Sequence, residues 1–385
     1  MTKPSFDVAV VGAGPAGSTL AALLAGRGLS VALVDRDTFP RDKLCGEFLS
    51  YDALPLLERL DVDLTGCPEI RQCRIVARSR TLEFPLPHAS RGVSRLLLDD
   101  LLFRNAVSRG ARPFVGCTAA AVTQNGVDLG GELLDARAVA GAWGRWGRFD
   151  AQLGRRFVRD RAHRNFGFKR HYVRAEGASP RVDGTIELHS FGRGYLGVNQ
   201  VENGLVNICG LVHASRLAGH RGRWESFVES LRDEQPDLEQ LYAGFVPAQE
   251  TFLSSDPVIF RARSPVEQGI FMAGDASGVI DPLTGNGMGM AIQSALLLAP
   301  LIVRLVEHPS DRAAVEREYR ERHRAMFARR IGWSRAVARI LSRPTLLDRA
   351  LATFRSPRLG ELFVRRTRAD RDEIARLADA WFATS

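Results

Sequence analysis

Two glycine-rich stretches, about 260 residues apart, hold the residues of this chain best suited to chemistry. The first is Gly12-Ala13-Gly14-Pro15-Ala16-Gly17, directly after the apolar, β-branched run Phe6–Val11. A strand, a tight turn and a helix N-terminus in that order make a phosphate cradle. Gly12 permits the turn, Gly14 lets backbone approach a phosphate, and Gly17 lets helix meet strand. Pro15 and Ala16 open the helix whose free amides and dipole attract the anion. A second strand-like run, Val31–Val34, ends in Asp35, 18 residues past Gly17. That is close to the roughly 20-residue separation at which a carboxylate takes a ribose hydroxyl. The second stretch is Gly274-Asp275, then Asp281-Pro282-Leu283-Thr284-Gly285-Asn286-Gly287-Met288-Gly289. A loop of this kind can hold a ribitol chain and aim a helix at a flavin ring. The pair therefore reads as FAD rather than NAD, and as redox chemistry rather than simple binding. Gly192-Arg193-Gly194-Tyr195-Leu196-Gly197 has the same spelling, but strand-like Val198–Val201 follows it, so it reads as a turn.

Because the two stretches lie at opposite ends, the FAD-binding domain is expected to be discontinuous: residues 1–70, 90–165 and 255–330. It includes a helix near Arg95–Arg109 and a strand near Ala138–Gly141. Residues 71–89 and 166–254 have another rhythm. Thr185–Phe191 alternates apolar and polar residues, and Glu202-Asn203-Gly204 separates two strand-like runs, a strong hairpin signal. These residues read as an antiparallel substrate domain. Residues 331–385 read as C-terminal helices. The fold class is α/β: a Rossmann-like FAD domain of the glutathione-reductase type, an inserted antiparallel β-sheet domain and a helical C-terminus.

With 45% hydrophobic and 25% charged residues, the composition is that of an ordinary globular protein. The longest greasy stretch, Ala295–Val303, is far too short for a membrane span and contains Pro300. No signal peptide is visible before the first strand. The five cysteines, Cys45, Cys67, Cys73, Cys117 and Cys209, form no Cys-x-x-Cys pair, so neither a disulfide framework nor a zinc site is expected, and a reducing cytoplasm is. The formal charge of +9 is nearly all arginine, with Lys3, Lys43 and Lys169 the only lysines. Arg317, Arg320, Arg322, Arg324, Arg329 and Arg330, interleaved with Glu316, Glu318 and Glu321, read as a solvated helix face. The alternative is a docking face for an acidic partner such as an acyl carrier protein. No motif supports nucleic-acid binding.

Four segments resemble the p-hydroxybenzoate-hydroxylase-like FAD superfamily, which holds flavin monooxygenases, flavin-dependent halogenases and geranylgeranyl reductases. They are Gly12–Gly17, Phe39–Ser50, Arg95–Leu102 and Gly274–Gly289. The resemblance implies that Asp275 binds the ribitol and that the Pro282–Gly289 loop opens a helix toward the flavin. It also implies that Arg95 reaches the FAD phosphates or flavin edge. Arg36, beside Asp35, and Arg41 join the cofactor-binding set. Within Pro40-Arg41-Asp42-Lys43-Leu44-Cys45-Gly46-Glu47, Gly46 lets the backbone pass beside the flavin. Cys45 is a candidate proton donor whose pKa Arg41 and Lys43 would lower. Glu47 is a candidate acid or a loop-stabilising acceptor. His171, in Phe166–Tyr172, reads as a structural histidine, with a catalytic base as the alternative.

The chain also departs from the pattern. Trp143 stands where the hydroxylases carry the aspartate of an Asp-Gly pair. NAD(P)H remains an expected electron source, but direct binding is called into question and a separate flavin reductase becomes an expected partner. The Trp-x-Trp-x-Ile-Pro motif of tryptophan halogenases is absent, whereas Asp281-Pro282-Leu283-Thr284-Gly285 is nearest the reductase spelling. The expectation is an FAD-dependent monooxygenase of secondary metabolism. It would hydroxylate or epoxidise a hydrophobic aromatic or polyketide-like small molecule, free or carrier-bound, through a flavin C4a-hydroperoxide. The alternatives are a geranylgeranyl-reductase-like C=C reductase, then a halogenase or a non-catalytic flavin-binding protein. No metal is expected.

Overall fold

The computed structural model describes residues 5–159, 165–178, 182–220, 223–234, 236–248, 252–353 and 356–383. Its first layer is a sheet whose central strand, Phe6–Val11, pairs in parallel with Val31–Asp35 on one side and Leu133–Gly141 on the other. Arg112–Val115 and Ile270–Met272 extend it in parallel on either flank. Four of the six residues of the central strand are continuously buried, as a parallel strand covered on both faces requires. Helices Pro15–Ala25, Arg95–Ser108 and Gly287–Glu307 pack on one face of this sheet and form one core with it. The wholly buried Pro15–Ala25 helix admits this packing because its residues are small. Gly287–Glu307 is long and apolar enough to cross a membrane, but 78% of its apolar window is buried inside the protein.

The second sheet runs, in spatial order, Asn165–Arg174, Val206–His213, Gly194–Gln200, Thr185–Phe191, Glu69–Val76 and Thr81–Gly92. All of these pairings are antiparallel except Thr185–Phe191 against Glu69–Val76, which is parallel. The parallel pair exists because two far-separated segments build the sheet. Asn203 takes a positive φ of 60° in the hairpin that its Asn-Gly spelling announces. Arg193, at φ 62°, turns the chain between the strands around Gly192-Arg193-Gly194, so that spelling is a turn.

Strand alternation gives the second sheet two different faces. Phe168, Phe191, Leu196, Val198 and Ile208 pack under helices Trp224–Arg232 and Pro236–Ala243. The opposite face changes character along its width. At one end it carries Lys169, His171, Asn199 and Asn207; at the other Cys73, Ile75, Phe84, Ile186 and Leu188. The polar end meets the Arg41–Glu47 segment. The apolar end packs with Leu341, Leu347 and Val364 of three C-terminal helices, Arg312–Leu341, Pro344–Thr353 and Pro357–Thr367, and with Phe48, Tyr51 and Leu283.

Candidate active site

The first glycine loop is shaped as its spelling demands. Gly12 has φ +105°, and a Cβ there would lie 2.3 Å from the Ala142 carbonyl oxygen. Gly17 presses on the Gly12 carbonyl, where a Cβ would overlap at 1.7 Å. Over Gly14 the space is open, with only the Arg95 guanidinium near it, 3.7 Å from a Cβ position. Helix Pro15–Ala25 has no side-chain cap, so its first amides point free at a would-be pyrophosphate. Asp35 closes the loop from below: Oδ2 accepts from the Ala13 amide at 2.7 Å and from Arg41 at 3.0 Å. Arg36 lies at the surface.

Arg95 begins the Arg95–Ser108 helix and makes a bidentate pair with buried Asp99, at 2.6 and 2.7 Å. This fixes a guanidinium beside Gly14, where a phosphate would take its remaining donors. The Asp275 side chain accepts no hydrogen bond among the described residues. Burial pushes its pKa up, while Arg145, Arg263 and Arg95 hold it down. A half-buried carboxylate that takes no donor among the described residues, beside the phosphate cradle, fits a sugar-alcohol chain. Gly274 is anchored by its amide to Ser294 Oγ at 2.8 Å. Gly285, at φ +60°, turns the loop against the Phe48 ring. Helix Gly287–Glu307 then starts with no side-chain cap, leaving the amides around Gly287, Met288 and Gly289 to face a ligand. Asp281 beside Pro282 accepts hydrogen bonds from Tyr195 Oη and the Leu283 amide, and burial raises its pKa to about 6.

Glu47 is the node between the two domains. It is wholly buried with φ +55°. Oε1 accepts from the Arg95 amide at 2.8 Å and from Lys169 Nζ at 2.6 Å, and Oε2 meets His171 Nε2 at 2.6 Å. Lys169 also donates to Asp42 at 2.5 Å. Burial alone would lower the Lys169 pKa, but Glu47 and Asp42 outweigh it and hold it above the usual range, so the ammonium persists. Asp42, Glu47 and His171 have ligand atoms close enough for a metal ion, yet the Lys169 ammonium already sits between the two carboxylates. Asn207 Nδ2 donates to the Cys45 carbonyl at 3.1 Å and Asn199 Nδ2 faces the Glu47 carbonyl at 3.3 Å. The segment around Gly46 is thus held by the second sheet.

Cys45 sits in that segment, its sulfur accepting from the Glu47 amide at 3.4 Å. Its pKa is raised by burial, only partly offset by Arg95. This corrects the expectation of a thiol acidified by Arg41 and Lys43. Those cations are engaged elsewhere, Arg41 with Asp35 and Lys43 with Asp37. Lys169 and Arg368 were not singled out from the sequence. The alternation of Lys169 and His171 on one strand face was the available signal for the first. Arg368 had none: it lies more than 80 residues past the loop it braces, donating to Ser50 Oγ at 2.6 Å and to the Thr284 carbonyl.

A glycine loop without room for a Cβ at Gly12 and Gly17, next to a half-buried carboxylate that takes no donor among the described residues, fits a bound FAD. Residues 5–65 match the FAD binding domain family. The chain is 29% identical over 398 residues to the menaquinone reductase of Mycobacterium tuberculosis, covering 97% of this chain and 94% of that one. Its fold matches a geranylgeranyl bacteriochlorophyll reductase-like protein of Thermoplasma acidophilum, with a TM-score of 0.75 at 20% identity and 97% and 96% coverage. It equally matches the myxobacterial chondrochloren halogenase CndH, with a TM-score of 0.75 at 20% identity and 98% and 97% coverage. The chain thus resembles the p-hydroxybenzoate-hydroxylase-like FAD superfamily in sequence and in fold, and it is an FAD-dependent oxidoreductase.

Proposed function

We propose that this protein reduces a carbon–carbon double bond in an apolar, isoprenoid-type lipid, with FAD as the hydride carrier. The observation that carries the reading is Cys45: a half-buried thiol whose pKa is pushed above its ordinary value, at the seam between the FAD cradle and the second sheet. Saturating a double bond needs one hydride and one proton. Bound FAD supplies the hydride once reduced. Cys45 holds the proton at Sγ, and the ionic array of Glu47, Lys169 and His171 fixes the backbone that carries it. Beyond the array, the sheet face becomes apolar up to the C-terminal helices packed on it, the kind of wall an apolar substrate prefers.

The full-length likeness to a menaquinone reductase and the Asp281–Gly285 spelling support reduction above oxygenation. A halogenating reading has less support: Lys169, the one lysine at this seam, is tied to two carboxylates. The monooxygenase reading stays as the second one, because Trp143 removes a motif without touching oxygen chemistry. It is bonded through Nε1 to Asp150 at 3.3 Å and packed on Phe149. Photoreduced protein should be reoxidised in strict anaerobiosis by a prenylated lipid that carries no quinone ring, restoring the yellow colour. Reoxidation only by air, whatever lipid is present, would sink the reductase reading.

A further inference from the structure

In the first half of the Arg312–Leu341 helix arginines are interleaved with acids and partly paired: Arg320 with Glu316, and Arg322 and Arg304 with Glu318. The solvated-face reading applies there. Beyond residue 328 acids become scarce, and Arg330 leaves that face for the interior. Residues 329–368 contain eleven arginines, no lysine and only two acids, Asp348 and Glu361, so this stretch alone carries a charge equal to the +9 of the whole chain. Arg330 and Arg368 are buried. Arg329, Arg339, Arg343, Arg349, Arg365 and Arg366 are exposed, and none has an ion-pair partner among the described residues. Between them stand large apolar side chains in solvent: Trp333, Leu346 and Leu362, at 44, 39 and 47% exposure. The helices that carry them pack on one another, and their inner sides cover the apolar end of the substrate sheet.

Cations with an interfacial tryptophan and leucines are the composition of a surface that lies on an anionic bilayer. We infer that the three C-terminal helices dock this protein on anionic phospholipid, with the apolar end of the substrate sheet directly beneath. The occupant follows from charge complementarity and from the exposed apolar tips. A folded acidic protein would satisfy the arginines but leaves no role for Trp333, Leu346 and Leu362 spread among them. The inference rests on the lipid-reductase reading for its purpose, but not for its test.

The FAD-loaded protein is floated with vesicles of phosphatidylcholine alone or of phosphatidylcholine with phosphatidylglycerol. Binding is expected to the anionic vesicles only, falling at least about tenfold between 0.1 and 0.5 M salt. The triple variant Arg349→Glu/Arg365→Glu/Arg366→Glu, checked for retained FAD and an unchanged melting temperature, should bind more than about 100-fold more weakly. Equal binding to both vesicle types, no binding to either, or a variant that binds like the parent would overturn the inference. So would capture of an acidic acyl carrier protein by the patch while vesicles stay unbound. A short-chain, water-soluble prenyl substrate, assayed without vesicles, separates the two ideas. If the parent fails to reduce it yet still floats, the reductase reading fails and docking stands.

Discussion

Removing the Lys169 ammonium would leave the wholly buried Glu47 carboxylate without its cation, beside the part-exposed Asp42 carboxylate. Breaking one partner of such a buried pair costs about 3–5 kcal/mol. Lys169→Met should therefore lower stability in chemical denaturation by about that amount and weaken FAD binding, since the Arg41–Glu47 segment is left with only the His171, Asn199 and Asn207 contacts to the sheet. A variant as stable as the parent would mean that the array is ornamental. Cys45 makes the opposite kind of prediction. Its burial keeps the thiol protonated, so alkylation by iodoacetamide in the FAD-free protein should be slow at pH 7.5 and accelerate only above the usual thiol range. Cys45→Ala should cost turnover about 100-fold, the low end of general-acid effects, with FAD binding intact. Fast alkylation at neutral pH, or unchanged turnover, would reduce Cys45 to packing. Glu47 was legible in the sequence as a loop acceptor, and its three bonds make it a positioning residue. No spacing rule points from residue 47 to Lys169 and His171, which reach it through the register of another domain.

At the scale of elements, the flavin-facing loop is braced from behind. His323, on the long Arg312–Leu341 helix, meets Ser277 Oγ at 2.9 Å, and Ser277 in turn donates to the Gly274 carbonyl. Burial depresses the His323 pKa to about 4. A depressed histidine binds its proton more tightly unfolded than folded, so its cost to stability is absent above pH 6.5 and grows as pH falls from 6.5 toward 4. The loss reaches about 3 kcal/mol. His323→Gln should flatten the fall in melting temperature over that pH interval; an unchanged pH profile would contradict the assignment. Arg368 braces the same loop from the other side through the Thr284 carbonyl, and Ala369 binds Asp52 at 2.8 Å. Arg368→Ala should weaken FAD binding by about tenfold, since a charged hydrogen bond to a buried loop is lost. Titration of the FAD-free protein with FAD measures this. The glycine loops themselves were readable because local geometry dictates their residues: a Cβ at Gly12 or Gly17 cannot fit. The braces were not, because a packed histidine or arginine has no local signature.

Across the whole molecule, the order of strand, glycine turn, helix and strand specified the first sheet, because a parallel βαβ unit needs those parts in that sequence. The one parallel pairing inside the second sheet escaped detection, since Glu69–Val76 and Thr185–Phe191 are joined only by tertiary contact. The polarity gradient across that sheet likewise appears only when four strands lie side by side. It is the gradient, from Lys169 and His171 to Ile186 and Phe84, that ties a proton-bearing seam to an apolar wall and makes lipid reduction the reading of choice. The decisive measurement is the product mass from a prenylated quinone, with the reduced protein, under nitrogen and under isotopically labelled dioxygen. The account predicts that, after the ring is reoxidised to the quinone, the product is still heavier by two hydrogens in both atmospheres, carried in its prenyl chain, with no label. A product that gains a labelled oxygen atom and forms only in the presence of dioxygen would contradict it.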